Sequence, residues 1–232
     1  AASRTAGGLV LSWRDLAPGA GWGVIAQDGL PKSAWYALKR AFRAVQLLLS
    51  DEGLDGLHCH ALNETTAPLA ATLRLAFLDA TGKAVAKAER AVEIPARHSF
   101  TWSSATLLGR FFDATVAYRF GPATHCLAHA ALCDEAGRVI AEAFHFPPGR
   151  DVTPTPLGLA AEPAEGPDGW ILTVSTARPA LSVAIDLAGG GRPSDNHLHL
   201  VPGFTRAIPL VGLSGRPCGT VRALNGDDLV RF

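Results

Sequence analysis

Between residues 70 and 94 the chain alternates in the way a β-hairpin does. Leu73, Leu75 and Phe77 fall on one face of the stretch 70–78, Asp79-Ala80-Thr81-Gly82 supplies a tight turn, and 84–94 runs back until Pro95. The segments 57–63, 113–120, 124–132 and 139–146 share this period, 45–49 and 98–103 read as short strands, and Asp134-Glu135-Ala136-Gly137 closes the last hairpin. Seven or eight short strands about ten residues apart, separated by turns, are the signature of an antiparallel β-sandwich. Around Phe146-Pro147-Pro148-Gly149-Arg150 the chain becomes a linker, with Pro154 and Pro156 close behind. Proline removes a ladder donor and stiffens the connection. A second β unit follows, with strands expected at 157–162, 170–176, 181–187, 197–200, 205–210 and 220–223. At about 80 residues it is near the low end of what folds alone, so it is expected to dock on its neighbour.

The front of the chain breaks the pattern. The apolar run Leu9-Val10-Leu11 suits a buried strand, and a Gly/Pro-rich loop after it carries Trp13, Arg14, Asp15 and Trp22. A second apolar piece, Gly23-Val24-Ile25-Ala26, leads to a turn at Asp28-Gly29. Pro31 then opens a helix to about Phe42, proline being suited to a first helical turn. Strand, long loop and helix make one βα unit, which cannot bury its own apolar faces. The expectation is that it belonged to something larger.

Composition narrows the function classes. Of the 232 residues, 48% are hydrophobic and 18% charged, which is a globular composition and not a disordered one. The formal net charge is +0 and no stretch clusters Lys or Arg with aromatics, so nothing points to a nucleic-acid partner. No apolar run approaches the ~20 residues of a membrane helix, so no membrane partner is expected either. The chain contains no Met and begins Ala-Ala-Ser. With the βα unit in front, this favours an excised C-terminal piece of a larger enzyme. The four cysteines, Cys59, Cys126, Cys133 and Cys218, have no tight metal spacing. Either Cys59 and Cys126 bridge a sandwich, or all four are small thiols.

Two motifs carry a family resemblance. The first comprises Gly8-Leu9-Val10 entering the loop, Asp15, Pro18 and Trp22, then Asp28-Gly29, Pro31-Lys32 and the helix Ala34-Trp35-Tyr36-Ala37-Leu38-Lys39-Arg40. The second is Ser194-Asp195-Asn196 with Leu200-Val201-Pro202-Gly203. In this order, with a β stretch between them, they resemble the end of the barrel and the terminal Ig-like domain of glycoside hydrolase family 2, β-mannosidase type. The chain departs from the family's usual strand end: Leu11 and Ala17 stand at its two Trp positions and Arg14 at its Asn. The local indole is Trp13, two residues on, and positions two apart share a strand face.

The resemblance implies a mainly β chain: two Ig-like antiparallel β-sandwiches preceded by a βα remnant of a TIM barrel. The divisions it suggests are 1–43 for the remnant, 44–150 for the first sandwich and 151–232 for the smaller one. It also implies a C-terminal fragment of a β-mannosidase-like retaining glycoside hydrolase, acting on carbohydrate with the upstream barrel of the same chain. Retention needs two carboxylates about 5 Å apart. In the family both lie on earlier barrel strands, so no catalytic residue, cofactor or metal is expected here. Loops at the C-terminal ends of barrel strands build active sites. Trp13, Asp15 and Trp22 are therefore the candidate substrate-binding residues. The rings would stack on a sugar, and Asp15 would orient the loop or accept a hydroxyl.

Other groups carry weaker alternatives. His58 with His60, His197 with His199, and His125 with His129 have spacings that bind zinc if a third ligand joins, although histidines in strands produce them by chance. Ser194-Asp195-Asn196 is expected to form an Asx-type turn. Trp102 and Trp170 are expected in the sandwich cores. Were they exposed, the chain could be a non-catalytic carbohydrate-binding module, and a structural pair of Ig-like domains is the remaining alternative. No GxSxG nucleophile elbow occurs.

Overall fold

Hydrogen bonding turns most of the expected segments into strands. The computed structural model describes residues 8–118, 120–147, 149–213 and 215–232. Residues 1–7 of the expected remnant, Pro148 of the expected linker and Arg119 of the expected strand 113–120 lie outside the described residues. The chain divides after Phe42 into two units.

The second unit opens with β1 (Val45–Asp51), β2 (Leu57–Asn63), β3 (Leu69–Leu78), β4 (Ala84–Ile94), β5 (His98–Ser103), β6 (Leu127–Cys133) and β7 (Val139–His145). They form two antiparallel sheets, β1-β2-β5 and β4-β3-β6-β7. The inner faces meet in one core. Leu47, Leu57, Cys59 and Ala61 of the first sheet lie with Leu73, Leu75, Phe77, Ala128, Ala130 and Leu132 of the second. Every second residue of β2 is buried, as its sequence alternation requires.

A second pair of sheets follows. Its strands are β8 (Ala160–Gly166), β9 (Gly169–Ser175), β10 (Ala180–Leu187), β11 (Arg192–Pro193), β12 (Leu198–Leu200), β13 (Arg206–Val211), β14 (Gly219–Arg222) and β15 (Leu229–Arg231). The sheets are β12-β10-β14-β15 and β11-β13-β9-β8, closed over Leu172, Val174, Val183, Ile185, Ile208 and Val221. The sequence pattern missed β11 and β15, which are two and three residues long.

The two sandwiches share a seam. Leu78 and Leu127 of the first join Val201 of the second, with Phe144, Phe146 and Phe204 packed around them. Gly82, at the tip of the β3–β4 hairpin, lies so close that a Cβ there would stand 2.5 Å from Pro202 Cγ. His129 stacks on Phe144 and meets Phe204 edge-on, while His199 meets Phe144 and Phe146. Glu142 of β7 receives hydrogen bonds from His129 (3.2 Å) and from Arg206 of β13. The seam explains why all seven residues of β6 are buried: one face meets the core and the other is covered by the second sandwich.

Two expectations are corrected, and the alternative left open for the cysteines is decided. Leu9-Val10-Leu11 is not a buried strand; it pairs with no strand among the described residues, and Leu9 and Leu11 are fully exposed. The described residues of 113–120 do not form a strand. Asp113 accepts hydrogen bonds from the N–H groups of Ala117 (2.9 Å) and Tyr118 (3.1 Å), which folds the segment back on itself. Val116 sits at φ 60°, outside the extended region. The segment's apparent alternation is that of Ala114, Val116, Tyr118 and Phe120, but Ala114 is buried whereas Tyr118 and Phe120 are exposed. Finally, Cys59 and Cys126 do not pair, and all four cysteines are free thiols. Burial pushes the Cys59 thiol up to about 12, whereas Cys218 is exposed. A thiol reagent at neutral pH is therefore expected to label Cys218 quickly and Cys59 only after unfolding, which peptide mapping of the labelled protein would show.

Candidate functional site

The loop after residue 12 is built by backbone pairing at its two ends. Trp13 C=O accepts from the N–H groups of Val24 (3.1 Å) and Ile25 (3.0 Å), and Asp15 N–H donates to Ile25 C=O (3.0 Å). Arg14 thus lies parallel to Ile25, which in turn pairs antiparallel with Pro31. Residues 16–23 make the crossover, and α1 (Ser33–Ala41) follows.

The carboxylate of Asp15 turns into this loop and is buried. Its Oδ1 accepts from Gly23 N–H (2.7 Å), and its Oδ2 forms an ion pair with Lys32 Nζ. Lys32 Nζ also donates to Gly21 C=O (3.2 Å). The Lys32 hydrogen bond, with that of Gly23, outweighs burial and holds the Asp15 carboxyl below the usual carboxylate range. The chain wraps this group so closely that only glycine fits beside it. A Cβ on Gly21 would lie 2.3 Å from Asp15 Oδ1, and one on Gly23 would lie 2.6 Å from Asp15 N.

The loop points its aromatics the other way. Trp13 is 60% exposed and Trp22 89% exposed, so each ring has a face free for an apolar partner. Of the three candidate residues, two therefore form an exposed surface and the third organises the backbone beneath it. The sequence reading missed Lys32. The signal was present: Lys32 occupies the N-cap of α1, where the helix dipole disfavours a cation, and its side chain makes no cap.

The remaining constellations are structural. His60 is hydrogen-bonded to Ser50 Oγ (2.7 Å) and Thr101 Oγ1 (2.9 Å). His125 is buried against Phe77 and Phe112 and donates to Ala114 C=O (3.0 Å), whereas His129 faces the seam. Among the described residues no group of three or more His, Cys, Asp or Glu is placed to hold a metal ion. Trp102 and Trp170 pack against the first and second cores respectively, so neither forms an exposed platform. A cleft of about 450 Å³ lies under the linker. Its polar groups serve the fold: Asn225 binds Leu181 N–H and Pro179 C=O, and Asp151 accepts from Thr153 N–H.

Residues 55–148 match the family model of the mannosidase Ig/CBM-like domain, and residues 154–215 match that of the Ig-fold domain of mannosidases. No curated protein matches the chain. Among solved structures, a beta-D-mannosidase from Dictyoglomus thermophilum superposes with a TM-score of 0.71 at 19% identity, over 88% of this chain and 24% of that one. An exo-chitosanase from Amycolatopsis orientalis superposes with a TM-score of 0.63 at 16% identity, over 91% of this chain and 29% of that one. At these identities the likeness is one of fold. The chain spans 24% and 29% of the lengths of these two proteins.

Proposed function

From a chain that carries the two Ig-like domains of the family 2, β-mannosidase type, we propose that it is the C-terminal part of a retaining glycoside hydrolase that releases a terminal sugar from β-linked glycosides. The observation that carries the reading is the order of parts. A loop–helix segment bearing two exposed tryptophans precedes, in sequence, two mannosidase-type β domains. Residues 1–43 are read as the last piece of a (β/α)8 barrel, 44–150 as the first sandwich and 151–232 as the second.

In this reading the acid/base and the nucleophile are supplied by the upstream barrel. Trp13 and Trp22 form one wall of the pocket for the non-reducing sugar, stacking on the apolar face of a pyranose ring. Asp15 shapes that wall from beneath. The sandwiches brace the barrel. The 232-residue chain alone lacks the reacting carboxylates and is inactive.

The test is to assay the full open reading frame and the 232-residue chain side by side with p-nitrophenyl β-mannoside, β-galactoside and β-glucuronide. The longer protein is expected to hydrolyse one of them, and the shorter one none. Trp22→Ala in the longer protein is expected to lower kcat/KM about tenfold, the equivalent of one aromatic contact of about 1.4 kcal/mol. Hydrolysis by the 232-residue chain, or none by the longer protein on any β-glycoside, would overturn the reading.

A further inference from the structure

We propose that Lys32 is a positioning residue for the sugar wall: with Asp15 it brackets Trp22 from both sides and sets the direction of its ring. The inference rests on the reading of this loop as part of a glycoside pocket.

The two residues flanking Trp22 are held by one ion pair. Lys32 Nζ grips the carbonyl of Gly21, the residue before it (3.2 Å). Asp15 Oδ1 grips the N–H of Gly23, the residue after it (2.7 Å). Lys32 and Asp15 are joined to each other, so the two grips form a single clamp across the base of the indole. Leu16 and Trp22 are both exposed, so their side chains add little packing to the crossover. An exposed aromatic binds best when its orientation is set before the ligand arrives, since ordering it on binding costs free energy.

The choice of lysine points the same way. At the N-cap of α1 a Ser, Thr, Asp or Asn would satisfy free N–H groups and suit the dipole. Lys32 does neither, and makes no side-chain cap. Its side chain runs back from the helix into the loop, 17 residues upstream in sequence, and neutralises the buried carboxylate there. The wall so built carries no net charge from the pair.

The experiment labels the protein with 5-fluorotryptophan. The five tryptophan signals are resolved by ¹⁹F NMR and assigned by single Trp→Phe replacements. Lys32→Met is expected to shift and broaden the Trp22 signal while those of Trp102 and Trp170 stay in place, reporting that the sandwiches remain folded. Lys32→Arg is expected to restore most of the Trp22 position. In the full-length protein Lys32→Met is expected to raise KM about tenfold and to change kcat much less, a split that general loss of folded protein would not produce. Should Lys32→Met fail to fold, Asp15→Asn keeps an acceptor for Gly23 and removes only the ion pair, with the same expectations. A Trp22 signal unmoved in either variant would overturn the inference. A Trp22 signal that moves while KM does not would instead overturn the reading of the loop as a sugar wall.

Discussion

Asn196→Ala is expected to destabilise the protein by about 2–4 kcal/mol, although it removes a polar side chain and no apolar surface. The side chain is buried and acts as a piece of strand. Its Oδ1 accepts from the N–H groups of Ile185 and His197 (2.8 Å each), and its Nδ2 donates to Ile185 C=O (2.9 Å). β10 pairs with β12 only as far as Val183, so the amide continues the ladder where β12 has ended. Alanine leaves the N–H and C=O of Ile185 unpaired beside a core side chain that is 2% exposed. Each orphaned buried group costs about 1–3 kcal/mol. Asn196→Asp is a sharper version of the same test. Its second oxygen would oppose the Ile185 carbonyl, which favours the protonated form in the folded state. That raises the folded-state pKa above the unfolded one, so the variant should regain stability relative to wild type as pH falls through the raised value. Urea midpoints of both variants at pH 7 and pH 5 decide the matter. A midpoint for Asn196→Ala equal to that of wild type would show that the amide does not hold the strand.

The second large effect lies at the seam. Arg206→Ala is expected to cost about 2–3 kcal/mol, because it strips a part-buried carboxylate of its cationic partner. Burial pushes the Glu142 carboxyl up, but the His129 hydrogen bond and the Arg206 charge outweigh it and hold the group below the usual carboxylate range. Because the folded-state value is depressed, this contribution is complete above the ordinary glutamate range. It fades as pH falls through the lowered folded-state value. In Arg206→Ala much of that acid dependence should disappear along with the stability. The double variant Glu142→Leu/Arg206→Met should recover most of the loss, since an apolar pair of similar size replaces a part-buried ion pair at little cost. Thermal unfolding of the singles and the double gives the cycle, at about 2–4 °C per kcal/mol for a chain of this size. A single variant that melts with wild type would mean that the ion pair contributes nothing to the docking of the two sandwiches.

These two effects differ in how far the sequence announced them. Ser194-Asp195-Asn196 stood out as turn chemistry, and Asp195 Oδ1 does accept from Asn196 N–H (2.9 Å). What the motif did not disclose was the partner, Ile185, on a different strand. Glu142 and Arg206 are 64 residues apart and neither stood out. The same contrast holds at the candidate site. Trp13, Asp15 and Trp22 were named as candidates from their loop and the resemblance, whereas the pairing of Lys32 with Asp15 came from the contacts of its ammonium group.

From the sequence alone came the strands that have one face in a core and one in solvent. β2 and β4 end at the residues where the period-two pattern ends, because such a strand writes its burial into every second position. The helix after Pro31 and the hairpins at Asp79 and Asp134 were equally local, since turn and helix-start chemistry lies within a few residues of chain. Tertiary structure alone decided which sheets face each other, why β6 is buried on both faces, and that 113–120 loops back instead of pairing. It also decided that Lys32 leaves its helix for Asp15. The physical reason is one of range. Alternation reports that a side chain is buried, but not what covers it. An ion pair or a seam is formed by groups whose separation in sequence carries no pattern.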